Sequence, residues 1–176
     1  NISNFDTSDF AGSVGAVNGA TLALTSSGGD LALRINRDTA SHNGIIKVNA
    51  GNNDISLTYA PTGGNDFQGT LHVTQGNINL TDSATVLKTG KINLEGAGST
   101  MTVDSSQAVN ALNLDGGSVT FMKDADGKTS VLTLNGGSGS LTGNGILKVD
   151  TAALASASCA DFFTQATGTN TYFVKG

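Results

Sequence analysis

The sequence predicts an all-β chain, a right-handed parallel β-helix (solenoid) with coils of about 20–25 residues and a C-terminal hairpin cap. Three observations carry this. One aliphatic pair returns at a near-constant interval along the chain, a second pair keeps step with it, and Gly-rich dipeptides separate the two.

The first register begins at Leu22 and Leu24. Ile46 and Val48 follow 24 residues on, Leu71 and Val73 after 25, Ile92 and Leu94 after 21, then Leu112 with Leu114 and Leu132 with Leu134 after 20 each. Gly96, Gly116 and Gly136 recur with the last three pairs. The second register runs through Leu31 and Leu33, Ile55 and Leu57, Ile78 and Leu80, Met101 and Val103, and Val119 and Phe121. Each pair brackets one small or polar residue, the period of two that sends alternate side chains to opposite faces of a strand. Two short strands per coil follow, and the spacing does not place a third. A hairpin sandwich also alternates apolar and polar residues, but it has no need of one residue type at one place in every coil. A solenoid does, because equivalent residues stack at the strand spacing.

Residues 1–150 are therefore assigned to coils, with Leu22, Leu24, Ile46, Val48, Leu71, Val73, Ile92, Leu94, Leu112, Leu114, Leu132 and Leu134 as two inward ladders. Gly28-Gly29, Gly116-Gly117, Gly136-Gly137 and Asn43-Gly44 mark corners, where glycine supplies positive φ. TAALASASCADFF, residues 151–163, is the one stretch whose alanines suit a short helix.

The outward residues between the ladders are Ala23, Lys47, His72, Asn93, Asn113 and Thr133, and in the second register Ala32, Ser56, Asn79, Thr102 and Thr120. This small, mostly neutral set suits extended contact with a protein or glycan and suits acid–base chemistry poorly. A net charge of −5 with nine scattered basic residues leaves no footprint for nucleic acid. No apolar run reaches the length of a membrane-spanning helix. The chain opens on Asn1 without a signal peptide and reads as a mature or excised piece. Cys159 stands alone, so neither an internal disulfide nor a multi-cysteine metal site is expected.

No catalytic, cofactor-binding or metal-ligating residue is assigned, so the chain is not expected to be an enzyme and no cofactor is implied. Asp124 and Asp126 in KDADGK read as a turn, because Gly127 comes too early for a calcium loop and no Glu follows at the right distance. Lys88-Thr89-Gly90 lacks the companion motifs of a β-lactamase. His42 and His72 have no ordered Asp or Ser partner in the pattern and read as solvent-facing. The glycines between Gly136 and Gly143 lack a phosphate-binding Lys.

After Leu134 the next inward pair, Leu147 and Val149, comes only 15 residues later, and the coil period lapses. Phe162, Phe163, Tyr172 and Phe173 gather on either side of ATGTN. Residues 151–176 are assigned to a cap, since an open solenoid end is an edge that recruits other chains.

The final stretch, SLTGNGILKVDTAALASASCADFFTQATGTNTYFVKG, resembles the C-terminal region of autotransporter passenger domains, the pertactin-like autochaperone. The residues that match are Leu141, Thr142, Gly143 and Gly145, then Asp150, then Asp161 with Phe162 and Phe163, then Gly168, then Tyr172 with Phe173 and Val174. Upstream, GTLHVTQGNINLTDSATV from Gly69 is similar to the strand repeats of that group.

The resemblance implies a non-catalytic fragment of a bacterial passenger, displayed on the cell surface or secreted, that crosses the periplasm and outer membrane through its own downstream β-barrel translocator. It also implies an adhesive or self-associating stalk with a host surface protein, a glycan or another passenger copy as partner, and a cap that promotes folding during secretion. The alternative is a carbohydrate-binding or carbohydrate-cleaving β-helix, such as a piece of a phage tailspike or polysaccharide lyase, which needs carboxylates clustered on one face.

Overall fold

The computed structural model describes residues 2–3, 16–17, 19–26, 28–35, 43–59, 67–80, 90–123, 125, 130–136, 139–149 and 163–165. Among these there is no helix. The strands are β1 Ile2–Ser3, β2 Thr21–Thr25, β3 Leu31–Ile35, β4 Ile45–Tyr59, β5 Thr70–Leu80, β6 Lys91–Glu95, β7 Ser99–Val103, β8 Gln107–Val109, β9 Ala111–Asp115, β10 Ser118–Phe121, β11 Leu132–Leu134, β12 Leu141–Gly143, β13 Ile146–Val149 and β14 Phe163–Gln165. Every strand pairs in parallel with its counterpart one coil away, which makes the chain a parallel β-solenoid.

The first face runs in the order β1-β2-β4-β5-β6-β9-β12. The second is built from β3, the later halves of β4 and β5, then β7, β10 and β13. β4 and β5 thus turn the corner between the two faces as unbroken strands, with a register shift at Asn49 and positive φ at Gly51 and Gly76. A third face consists of β8, β11 and β14.

The alternating triplets dictate the core. On the first face Ile46, Leu71, Ile92 and Leu112 stack in one column, and Leu24, Val48, Val73, Leu94 and Leu114 in the next. On the second, Leu31, Ile55, Ile78, Met101 and Val119 run beside Leu33, Leu57, Leu80, Val103 and Phe121. All of these are buried, and Leu22, Leu141 and Leu147 pack against them partly covered. Each contributes on the order of 1.5–3 kcal/mol by leaving water, and the strands hold the columns at about 4.8 Å per coil.

Leu132 and Leu134 are inward, as the spacing implies, but not on the expected ladder. They stack on Gln107 and Val109 of the third face, and the residues above Leu112 and Leu114 are Leu141 and Gly143. The coil lengthens here: 141 − 112 gives 29 residues where 20 were expected. A Leu-x-Leu triplet looks the same on any face of a solenoid. The 20-residue match aligned a first-face strand with a third-face one. Leu147 correspondingly continues the second face above Val119, so the short interval before it reflects a change of face. Thr133 leaves the first-face outward column with its strand. Gly136 does not stand over Gly116; its amide donates to the Asn110 carbonyl at the corner between the third and first faces.

The corners correct a second expectation. Gly96 and Gly116 do adopt positive φ (80° and 84°) and stack, an added Cβ on Gly116 falling 3.3 Å from the Gly96 Cα. Gly28, Gly29 and Gly44 do not have positive φ. At Gly44 the constraint is close approach of coils, because a Cβ there would lie 2.3 Å from the Val17 carbonyl oxygen and 2.5 Å from that of Ala20. Gly69 and Gly90 similarly leave room for the buried ring of Phe67.

Of the C-terminal assignments, β14 is described. Phe163, Thr164 and Gln165 pair in parallel with Leu132, Thr133 and Leu134, so this segment is a strand of the third face. Asp161, Phe162, Gly168, Tyr172 and Phe173, and the alanine-rich stretch before them, lie outside the described residues.

Two outcomes check this arrangement. With Cys159 changed to Ser, the pair Asn113→Cys and Thr142→Cys forms a disulfide, since neighbouring parallel strands bring the Cα atoms within disulfide reach, whereas Asn113→Cys with Thr133→Cys does not; non-reducing mass spectrometry reads the difference. Gly44→Ala lowers stability by about 1–3 kcal/mol in urea titration, because backbone carbonyls must move to admit the methyl group.

Candidate functional site

The middle residue of each first-face triplet points outward, and the register aligns Ala23, Lys47, His72, Asn93, Asn113 and Thr142 in one column. Thr142 takes the place that spacing assigned to Thr133. The upper part of this column is a hydrogen-bonded chain: Thr142 Oγ1 donates to Asn113 Oδ1 (2.9 Å), and Asn113 Nδ2 donates to Asn93 Oδ1 (2.9 Å).

Below it, the structure assembles a charged group that pattern reading missed. His72 Nε2 lies 2.6 Å from Glu95 Oε2, and Lys47 Nζ lies 3.7 Å from the same oxygen. Glu95 is the last residue of β6, and Asp115, the last residue of β9, is its register partner. Lys47 and His72 in the outward column, and Glu95 and Asp115 in the next column along, therefore lie on four successive coils of the first face although 68 residues separate the first from the last (115 − 47). His72 is 18% exposed and carboxylate-bound, which corrects its reading as a partnerless solvent-facing ring. The available signal was the ladder itself. Lys47 and His72 share its outward column, and Glu95 follows the next pair, Ile92 and Leu94, by one residue.

The second face carries its polar groups differently. Asp30 Oδ1 accepts the Asp54 amide (3.0 Å), and Asn77 Nδ2 donates both to Asp54 Oδ1 (3.0 Å) and to Asn79 Oδ1 (2.7 Å). Asn77 Oδ1 in turn accepts the hydroxyls of Thr100 (2.9 Å) and Thr102 (3.1 Å). Both donors and both lone pairs of the Asn77 amide are thereby used, and one side chain ties together three coils. The amides and hydroxyls of this network are half-buried, and its two aspartates, Asp30 and Asp54, are exposed. On the first face the side chains of Lys47 and Glu95 are 43% and 48% exposed.

Chemically, the first face offers a flat array of amides and hydroxyls beside a cluster of one cation, one imidazole and two carboxylates, all on rigid strands. Among the described residues no group of three or more His, Cys, Asp or Glu could hold a metal ion. His42, Lys88, Thr89, Asp124, Asp126 and Cys159 lie outside the described residues.

The two faces respond differently to truncation. Asn77→Ala strips several half-buried partners of their bonds and costs about 2 kcal/mol, whereas Glu95→Gln, at an exposed ion pair, costs less than about 1 kcal/mol; urea midpoints of both variants measure the difference. Comparison of the chain with protein-family models, curated proteins and solved structures finds no match.

Proposed function

We propose that this chain is a non-catalytic part of a bacterial autotransporter passenger, displayed at the cell surface, that works as an adhesive or self-associating stalk. The observation that carries the reading is the first-face outward column, a row of mostly polar side chains held in register from Ala23 to Thr142. Such a row makes many weak, geometrically fixed contacts with an extended partner, as solenoid faces commonly do. A host surface protein, a glycan or a second passenger copy fits this surface. The motif resemblance of residues 140–176 supports export through a β-barrel encoded downstream and a folding role for residues 151–176, since each coil needs a formed neighbour to cover its ladder.

A second reading, a carbohydrate-cleaving β-helix, is favoured by one specific finding, the side-by-side placement of Glu95 and Asp115 with His72 at hydrogen-bonding distance from Glu95. Paired carboxylates are what glycoside cleavage requires.

Two experiments separate these. Labelled protein applied to host cells, matrix proteins and a glycan array binds saturably without product formation, and Asn113→Arg reduces binding at least about tenfold, the scale of one disrupted contact at the centre of an interface. Turnover of a polysaccharide that is lost in Glu95→Gln establishes the second reading in its place. Deletion of residues 151–176 slows refolding from urea or sends the chain into aggregates; refolding at the rate of the intact chain removes the folding role.

A further inference from the structure

We infer that Asn144 is a site of spontaneous covalent modification, at which the folded chain converts asparagine to aspartate and isoaspartate. Three Asn-Gly pairs have both residues described: Asn43-Gly44, Asn135-Gly136 and Asn144-Gly145. In unstructured peptide they are chemically equivalent. The fold makes them unequal.

The reaction begins when the backbone nitrogen of the glycine, having lost its proton to solvent base, attacks Cγ of the preceding asparagine. A ring C–N bond forms, the Cγ–Nδ2 bond breaks, and ammonia leaves with a proton from solvent. Water then opens the cyclic imide at either carbonyl, giving aspartate or isoaspartate. The net change is one water consumed and one ammonia released, with no redox partner. The attacking nitrogen must be free of any acceptor, and the side chain must be free to rotate onto it.

The Gly44 amide donates to the Ala16 carbonyl at 2.9 Å, and the Gly136 amide donates to the Asn110 carbonyl at 2.8 Å. Both nitrogens are held in coil-to-coil hydrogen bonds and must break them to react. Among the described residues the Gly145 amide makes no hydrogen bond, and the exposed side chain of Asn144 makes none. The backbone is anchored on either side, by the Asn144 N–H to the Leu114 carbonyl at 2.8 Å and the Ile146 N–H to the Gly117 carbonyl at 2.9 Å, but the Asn144 side chain and the intervening Gly145 nitrogen are left without an acceptor or donor among the described residues. Asn144 also lies between two glycines, so no neighbouring side chain shields Cγ from the attacking nitrogen.

The product falls at a sensitive place. Asn144 joins β12 to β13, where a Cβ on Gly145 would lie 2.3 Å from the Gly117 carbonyl oxygen. Isoaspartate adds a backbone carbon to this tight corner, and either product adds one negative charge. Conversion therefore acts as a clock on the register of β12 and β13.

The test follows each Asn-Gly pair by peptide mass spectrometry while the intact chain ages in mildly alkaline buffer. In the folded protein Asn144 converts first, and Asn43 and Asn135 lag by about tenfold, the factor that one net hydrogen bond represents. In concentrated urea the three rates converge, and Asn144→Gln removes the fast conversion from the folded chain. The inference is overturned if Asn43 or Asn135 keeps pace with Asn144 in the folded protein, or if the spread of rates persists in urea.

Discussion

Everything in this molecule depends on in-register parallel stacking. Each inward side chain has to cover the one a coil below it, and the backbone amides of each strand have to meet carbonyls at the same height. That double demand explains why Ile, Leu and Val dominate the ladders, and why glycine appears where two coils touch through backbone, as at Gly44 against Val17 and Ala20. It also explains how a chain with no Trp and 5% aromatic residues holds a continuous core. The ladders supply burial continuously along the axis, so the structure needs neither a bulky centre nor a disulfide.

The same demand shapes the outer surface. Parallel register places like beside like, and side chains that would otherwise compete for water bond to one another from coil to coil. Asn77 is the clearest case, its amide spent entirely on Asp54, Asn79, Thr100 and Thr102. On the first face the chain Thr142–Asn113–Asn93 gives way to ionic groups that keep part of their exposure. The two polar faces thus share coil-to-coil bonding through amides and hydroxyls, and the first adds an ion pair.

How much of this was legible follows from what a period of two can and cannot encode. Leu22 to Leu114, and Leu31 to Phe121, were placed correctly because two independent columns recur together over coils of similar length. The third face escaped because β8 offers only Gln107, Ala108 and Val109, whose polar first residue hides the apolar triplet. Once it was missed, Leu132 and Leu134 had nowhere to go but the first face. The clustering of Lys47, His72, Glu95 and Asp115 escaped for a different reason. Charged groups on separate coils carry no local pattern, and only the register brings them together.

Strands that lie across the axis, joined by hydrogen bonds along it, also give the chain an unusual relation between length and load. A coil of 24 residues, such as that from Leu22 to Ile46, adds about 4.8 Å to the folded rod. Peeled open, the same 24 residues span about 80 Å. Because each coil bonds only to its neighbours, tension applied at one end is borne by a single ladder at a time and releases contour in discrete steps. The rod is therefore a folded reserve of tether, able to lengthen more than tenfold coil by coil while the coils beyond the opened edge keep their shape.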